Sequence, residues 1–260
     1  MKNKIPDFAY HMTKFFTEYL PIQRNLSPNS IATYRDTFRL LLLFYDTEKH
    51  IKPNLLTLDM LDVQGIEDFM LWLKKERNCG ASTCNQRLGA LKSFFRYLQF
   101  ALPDRALQCQ ENLAIRPMKQ SEPGLKYLTI DGIKLLLEQP DIKTKYGRRD
   151  LAILSLMYDT GARVQEIADI KIVHIRFSAP ATIRITGKGD KTRVVPLLSR
   201  TEDILKQYIK DFKIDAGGND AYLFQNRNGQ HLSRFGISYI LTKYADKARK
   251  VRKRTIASTP

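Results

Sequence analysis

The chain has 260 residues, enough for one large domain or two small ones, and its 43% hydrophobic content is sufficient for buried cores. The formal net charge of +16 favours a polyanionic partner, with nucleic acid ahead of an anionic membrane surface. No apolar run reaches the roughly 18 residues of a membrane span, the N-terminus lacks a secretory signal pattern, and three cysteines without metal-ligand spacing indicate free thiols in a reducing cytosol.

The N-terminal part of the chain predicts a compact bundle of four or more helices over residues 1–111. Apolar residues recur at helical spacing between positions 7 and 20. A second helix begins at Ser27, which is a good N-cap followed by a proline at the first helical position, and runs to about Tyr45. A third helix is predicted from about Val63 to Lys75.

A further helix follows the break at Cys79-Gly80, with Ser82 or Thr83 as the predicted N-cap, and ends near Phe100. Its exposed side is predicted to be polar and basic. Such a face is most often simply solvated, so it becomes a candidate DNA surface only in combination with features downstream. The residues on it are Asn85, Gln86, Arg87, Lys92 and Arg96.

Residues 112–126 contain two prolines, a glycine and several charges without periodicity, which predicts an interdomain linker. A second domain is predicted over residues 127–260, and Thr129 is the N-cap of its first helix. An apolar helix that begins near Leu151 then ends at a Thr-Gly-Ala-Arg turn.

After this turn a short amphipathic helix is predicted from Val164 to Ile172. The strands Ile183–Thr186 and Thr192–Pro196 form a hairpin around a turn at Gly187–Lys191. Thr201 is predicted to cap another helix, and a last, very basic helix begins near Ser233.

Two residues in this second domain suggest phosphate chemistry. Arg163 follows the end of a buried helix, where its planar fork of donors could be held rigidly against two phosphate oxygens. Lys188 lies in a glycine-flanked turn, where a flexible ammonium group can reach an oxygen of a nucleic-acid backbone. The alternatives are a helix-capping or surface arginine and a solvated hairpin lysine, and either residue alone would leave them open.

Two linked motifs carry a resemblance to a known family. The first is Thr160-Gly161-Ala162-Arg163-Val164-Gln165-Glu166, and the second is Gly187-Lys188-Gly189-Asp190-Lys191-Thr192-Arg193-Val194-Val195-Pro196-Leu197. In this order they resemble the catalytic domain of the tyrosine recombinase (phage integrase) family. The resemblance implies a mainly α fold with a small β-sheet: a helical core-binding domain that clamps DNA, and an α+β catalytic domain that is incomplete at its C-terminus.

The resemblance also implies roles for individual residues. Arg163 and Lys188 would be catalytic and Glu166 would support the arginine, while other basic residues would contact DNA. The reaction needs no metal and no cofactor. The partners would be double-stranded DNA and other recombinase protomers on paired sites, with no membrane, in the cytoplasm on the nucleoid. The residues expected to contact DNA are Lys191, Arg193, Arg87, Lys92 and Arg96.

Part of the family pattern has no counterpart. A catalytic H-x-x-R motif and a tyrosine nucleophile are expected after the basic helix, and residues 255–260 resemble the lead-in to that motif. His231-Leu232-Ser233-Arg234 matches H-x-x-R literally but precedes the helix, which favours a loop histidine. Tyr239 and Tyr244 occur at helical spacing beside apolar residues, which favours packing. The 260 residues are therefore expected to bind DNA without cutting it.

Three interpretations are compatible with these observations. The first is a tyrosine recombinase of a phage, transposon or other mobile element, with its last helices missing from these 260 residues. The second is a non-catalytic DNA-binding regulator or remnant of the same family. The third is an unrelated basic helical protein, such as an RNA-binding or interaction module, in which Arg163 and Lys188 would contribute only their charge.

Overall fold

A computed structural model describes residues 7–120, 128–214, 218 and 220–257, with side chains up to Val251. The chain divides into two compact units, residues 1–124 and 125–260. Helices dominate both units, and one three-stranded antiparallel sheet lies in the second, as the predicted fold class requires. The described helices include none with the length and apolar character that spanning a membrane demands.

The first unit is a helical bundle, as predicted. Four phenylalanine rings form the centre of its core: Phe8, Phe15, Phe38 and Phe94. In the pairs that contact each other, the ring centroids are 5.2 to 6.4 Å apart. The helices are α1 (Phe8–Lys14), which continues as a π-helical stretch (Phe15–Gln23), α2 (Pro28–Thr47), α3 (Val63–Lys75), α4 (Ala81–Ala101) and α5 (Ala106–Ala114).

Of the two N-caps predicted in this unit, the one of α2 is confirmed and the one of α4 is not. Ser27 caps α2 as predicted, with its hydroxyl accepting the backbone N–H of Ser30 at 3.3 Å. The predicted cap of α4 was wrong. Gly80 is the N-cap, and Ser82 and Thr83 lie in the first turn. A glycine is also an acceptable N-cap, so the helix begins earlier than the first hydroxyl residue.

The polar side of α4, which was predicted to be exposed, is only partly so. Asn85 pairs with the backbone of Met118, donating from Nδ2 to the carbonyl and accepting the N–H at Oδ1, both at 2.8 Å. Lys92 Nζ donates to the carbonyl of Ile115 at 2.6 Å, and burial, followed by the charge of Arg96, lowers the Lys92 pKa. Arg87 is half-buried, whereas Arg96 is exposed.

The segment that covers α4 falls within the predicted linker. Asn112 is buried in α5 and donates from Nδ2 to the carbonyl of Leu61 at 3.0 Å. Ile115 is also buried. Residues 112–118 therefore belong to the first unit, and the predicted linker begins too early. Its residues 121–126 lie outside the described part of the chain.

In the described part of the second unit, five α-helices accompany the three-stranded sheet. The strands pair in the order β1-β2-β3, and the β2–β3 hairpin has the predicted strands, with Ile185 opposite Arg193. The helices are α6 (Ile130–Leu137), α7 (Lys145–Thr160), α8 (Val164–Ala168), α9 (Ser199–Phe212) and α10 (Arg234–Ala257), and the strands are β1 (Ile175–Arg176), β2 (Thr182–Thr186) and β3 (Thr192–Pro196).

Three helix boundaries in this unit bear on the predictions. Thr129 caps α6 as expected, accepting the N–H of Gly132 at 3.2 Å. The short helix α8 ends at Ala168 rather than Ile172. Thr201 does not cap α9 but lies buried inside its first turn; Leu198 is the N-cap, and its N–H donates to Asp159 at 3.0 Å. A tertiary contact thus sets the start of α9.

A buried carboxylate joins α7 to α10. Asp150 Oδ1 accepts two bonds from the Arg149 guanidinium, at 2.7 and 3.0 Å, and its Oδ2 accepts the Tyr244 hydroxyl at 2.9 Å. Tyr244 is buried, as predicted, but Tyr239 is 71% exposed, so the packing prediction for Tyr239 was wrong. Residues 255–257 continue α10, and residues 258–260 lie beyond the described part.

We predict that Tyr244→Phe lowers the free energy of unfolding by about 1–2 kcal/mol, because Asp150 loses a hydrogen-bond donor in a buried environment. Tyr239→Phe removes the same hydroxyl from an exposed position of the same helix and is expected to change stability by less than about 0.5 kcal/mol. Urea denaturation of both variants gives the comparison, and equal losses would argue against a stabilising role for the Tyr244–Asp150 bond.

Candidate active site

A sharp turn at the end of α7 places Arg163. Gly161 adopts a left-handed conformation (φ 58°), and its N–H donates to the carbonyl of Met157 at 3.0 Å, which closes the helix. Ala162 is buried beyond it, and Arg163 is the N-cap of α8 in an extended conformation. The backbone of Arg163 is therefore fixed between two helices, which confirms its predicted place at the end of a buried helix.

Glu166 holds Arg163 through two hydrogen bonds. Its carboxylate is buried, Oε1 accepts Nη1 of Arg163 at 2.8 Å, and Oε2 accepts the backbone N–H of Arg163 at 3.0 Å. Oε2 also accepts Nη2 of Arg193 at 2.8 Å. The bond from Arg193 is the main reason why the Glu166 pKa falls to about 2; burial opposes this effect, and the donors of Arg163 add to it.

The Arg163 side chain remains 75% exposed although its guanidinium is tethered at one nitrogen. The remaining donors of the fork can therefore meet a ligand from solvent. Two arginines share one carboxylate in this cluster, so one positive charge is left over. An exposed, oriented guanidinium with surplus positive charge suits the non-bridging oxygens of a phosphate.

The hairpin turn presents Lys188 to solvent. The N–H of Gly187 donates to the carbonyl of Lys191 at 2.8 Å, and Gly189 (φ 74°) and Asp190 (φ 55°) take left-handed conformations that reverse the chain. Lys188 is exposed, and no described residue forms a hydrogen bond or ion pair with its ammonium group. The group is free to act on a ligand that reaches the turn.

Arg193 has a partner that the sequence did not predict. Its guanidinium is engaged by Glu166 and its side chain is 39% exposed, so it is not simply a free contact for a flanking phosphate. Sequence reasoning missed this partnership, although β3 carries the signal for it: the alternation along the strand puts Arg193 and Val195 on the more buried face. Lys191 is exposed, consistent with a surface contact.

His231 is placed as a loop histidine directly ahead of α10. Its Nε2 lies 2.9 Å from the carbonyl of Ala168, and its ring stacks on Tyr222 with centroids 4.0 Å apart. These contacts account for the residue structurally. Within the described ranges, no group of histidine, cysteine and carboxylate side chains is arranged to hold a metal ion.

Comparisons with known proteins cover both units. Residues 126–256 match the phage integrase family, and residues 14–100 match the N-terminal SAM-like domain of phage integrases. The putative integrase/recombinase y4rC of Sinorhizobium fredii is 34% identical over 233 residues, which is 90% of this chain and 69% of that protein. The tyrosine recombinase XerD of Listeria monocytogenes is 31% identical, across 87% of this chain and 74% of XerD.

A solved structure shares the fold. A lambda integrase dimer bound to a COC′ core site superimposes with a TM-score of 0.65 at 13% identity, over 93% of this chain and 81% of that one. At this identity the likeness supports the architecture of the chain and not the roles of its residues.

We predict that Glu166 contributes stability that depends on pH. Its folded-state pKa of about 2 lies below the roughly 4.3 of an unfolded glutamate, so the contribution is complete above about pH 4.3 and disappears as the pH falls towards 2. Glu166→Gln should therefore lose about 2–3 kcal/mol of unfolding free energy at pH 7, and the difference from the unmodified chain should shrink across this window.

Glu138→Gln is the matched control, because Glu138 is an exposed glutamate of the same unit. Its difference from the unmodified chain should be small at every pH. Denaturation curves at several pH values between 7 and 2.5 test both variants. A Glu166→Gln difference that stays constant with pH would contradict the assignment.

Proposed function

The chain belongs to the phage integrase family of tyrosine recombinases, and we propose that it is a site-specific recombinase of a mobile element that cuts and rejoins DNA through a 3′-phosphotyrosyl intermediate. One observation carries the proposal furthest. Arg163 is exposed but anchored by a buried carboxylate, and the same unit presents Lys188 on a solvent-exposed turn. An anchored cation and a free ammonium group can supply the charge stabilisation and the proton donor for phosphoryl transfer without a metal.

The proposed chemistry assigns one task to each group. The tyrosine hydroxyl loses its proton to solvent as its oxygen attacks the scissile phosphorus, and the bond from phosphorus to the 5′ oxygen breaks. Arg163 stabilises the negative charge on the non-bridging oxygens. Lys188 gives a proton to the leaving 5′ oxygen as a general acid. A 5′ hydroxyl of the partner strand later reverses these steps, so the energy of the phosphodiester bond is retained in the covalent intermediate and no cofactor is needed.

We infer that the 260 residues, taken alone, bind DNA but do not cleave it. Tyr244 cannot serve as the nucleophile while its hydroxyl is committed to buried Asp150. His231, the histidine of the literal H-x-x-R match, is occupied by Ala168 and Tyr222. Tyr239 is exposed and is the described tyrosine of α10 that a cleavage assay has to exclude.

The proposed partners are double-stranded DNA and further recombinase protomers on paired sites. The net charge of +16 supports the first, and the lambda integrase dimer on its core site offers a precedent for both. On α4, exposed Arg96 is the strongest candidate for phosphate contact, with a lesser part for half-buried Arg87 and for Lys92. Binding to DNA would keep the protein in the cytoplasm, on the nucleoid.

Arg163→Ala is predicted to weaken duplex binding by about tenfold, because one charge-assisted phosphate contact is lost. The slope of log affinity against log salt concentration should fall by about one. Arg200→Ala is the matched control: it removes the same charge from an exposed arginine of the same unit. Fluorescence anisotropy at four salt concentrations measures both. Equal effects of the two substitutions would favour a protein that uses only its overall charge.

We also predict that a nicked suicide substrate, which traps covalent intermediates, captures none of this chain. Denaturing gel electrophoresis of protein with end-labelled DNA would show a covalent adduct directly. An adduct that persists in Tyr244→Phe but is lost in Tyr239→Phe would identify Tyr239 as a nucleophile and overturn the inference. Binding without an adduct is the expected result.

A further inference from the structure

We propose that Gly187 and Arg193 are positioning residues, which hold the turn bearing Lys188 in register with Arg163 through the carboxylate of Glu166. The inference rests on the proposed function, in which Lys188 and Arg163 act on the same phosphate. It goes further by assigning the fixed geometry of that pair to two residues that need not touch DNA.

The first step is that three hydrogen bonds hold the Glu166 carboxylate in place. Both of its oxygens are engaged by three donors from Arg163 and Arg193, at distances between 2.8 and 3.0 Å. The group is also buried. Any shift of the carboxylate would break at least one of these charge-assisted bonds in a place that water does not readily reach.

The second step concerns Gly187. A Cβ atom at this position would lie 2.7 Å from Oε1 of Glu166, well inside van der Waals contact, while the next nearest atoms are at 3.6 and 3.7 Å. Gly187 is not among the glycines with a left-handed backbone, so its conformation is open to other residues. A side chain at this position would therefore have to displace the Glu166 carboxylate or move the turn.

The third step is that the hairpin meets the carboxylate on both sides of its turn, by close approach at Gly187 and by a hydrogen bond from Arg193. Gly187 follows β2 and lies against Oε1, whereas Arg193 on β3 binds Oε2. The Gly187–Lys191 hydrogen bond closes the turn between these points. Lys188 follows Gly187 directly, so its backbone is fixed relative to the same carboxylate that holds Arg163.

An alanine at position 187 would disturb this arrangement in one of two ways. Either the new methyl group pushes the carboxylate away from Arg163, or the turn moves away from the carboxylate and takes Lys188 with it. Both changes separate Lys188 from Arg163. Aspartate at position 166 is one methylene shorter and would leave room for the methyl group, but its carboxylate reaches Arg163 and Arg193 less well. Glu166→Asp should therefore remove the specific penalty of Gly187→Ala while weakening the anchor itself.

The experiment compares Gly187→Ala, Glu166→Asp and the double variant in the full chain. Duplex affinity, its salt slope and the thermal midpoint are measured for each. Gly187→Ala is expected to weaken binding about tenfold and to lower the salt slope by about one, because Arg163 loses its anchor. Glu166→Asp alone is also expected to weaken binding. The double variant should bind about as well as Glu166→Asp, which is a recovery relative to the product of the two single effects.

Gly189→Ala is the matched control within the same turn. Gly189 has a φ of 74°, and a Cβ atom there would meet no other atom within 4 Å, so alanine strains the backbone without touching Glu166. Adding Glu166→Asp to Gly189→Ala should therefore give no recovery. Recovery in both backgrounds would mean that aspartate at position 166 improves binding whatever the change in the turn. That result would overturn the proposed contact between position 187 and Glu166.

The outcomes separate this proposal from the proposed function. If Arg163→Ala in parallel binds DNA as the unmodified chain does, the proposed function fails. If Arg163→Ala loses affinity but Gly187→Ala does not, or if the double variant shows no recovery, only the positioning role fails. Should Gly187→Ala not fold, folding becomes the measurement: the double variant is expected to fold and bind, and a double variant that is also unfolded overturns the proposal.

Discussion

The buried carboxylate of Glu166 is the constraint on which the site depends. A carboxylate removed from water costs several kcal/mol unless charged donors surround it, and here three donors from Arg163 and Arg193 do so. Because both oxygens are engaged, the position of α8 and the position of the hairpin are set by the same group. The geometry of the site thus follows from buried chemistry rather than from the exposed side chains that would meet DNA.

Features of the fold and the site that depend on neighbouring residues were predictable from the sequence, whereas contacts between distant residues were not. The Thr-Gly-Ala-Arg turn, the hairpin and the caps at Ser27 and Thr129 each depend on neighbours in the chain, and all of them are present. The start of α9 depends instead on a contact between Leu198 and Asp159, 39 residues apart. Hydroxyl residues such as Thr201 satisfy the local rule for a cap equally well, so the sequence offered no means of choosing.

The same limit applies to the surface of α4. Asn85 and Lys92 have the composition of a nucleic-acid contact, but their polar atoms satisfy the backbone at Met118 and Ile115. A segment without regular structure leaves backbone groups that need partners, and long polar side chains of an adjacent helix supply them. The count of basic residues on a helix therefore overstates the number of charges open to a partner wherever an irregular segment runs alongside it.

Two carboxylates that are buried in the described part of the second unit, Asp150 and Glu166, each pair with an arginine, but the two pairs have different uses. Asp150 pairs with Arg149 of the same helix, whose side chain is only 10% exposed, and the hydroxyl of Tyr244 joins this pair to α10. Glu166 pairs with Arg163, whose side chain is 75% exposed. The first pair is closed to solvent, and the donors of its arginine are engaged by Asp150 and by the carbonyl of Gln225. The second pair is open on one side, and that opening turns an otherwise structural ion pair into a fixed cation available to a phosphate.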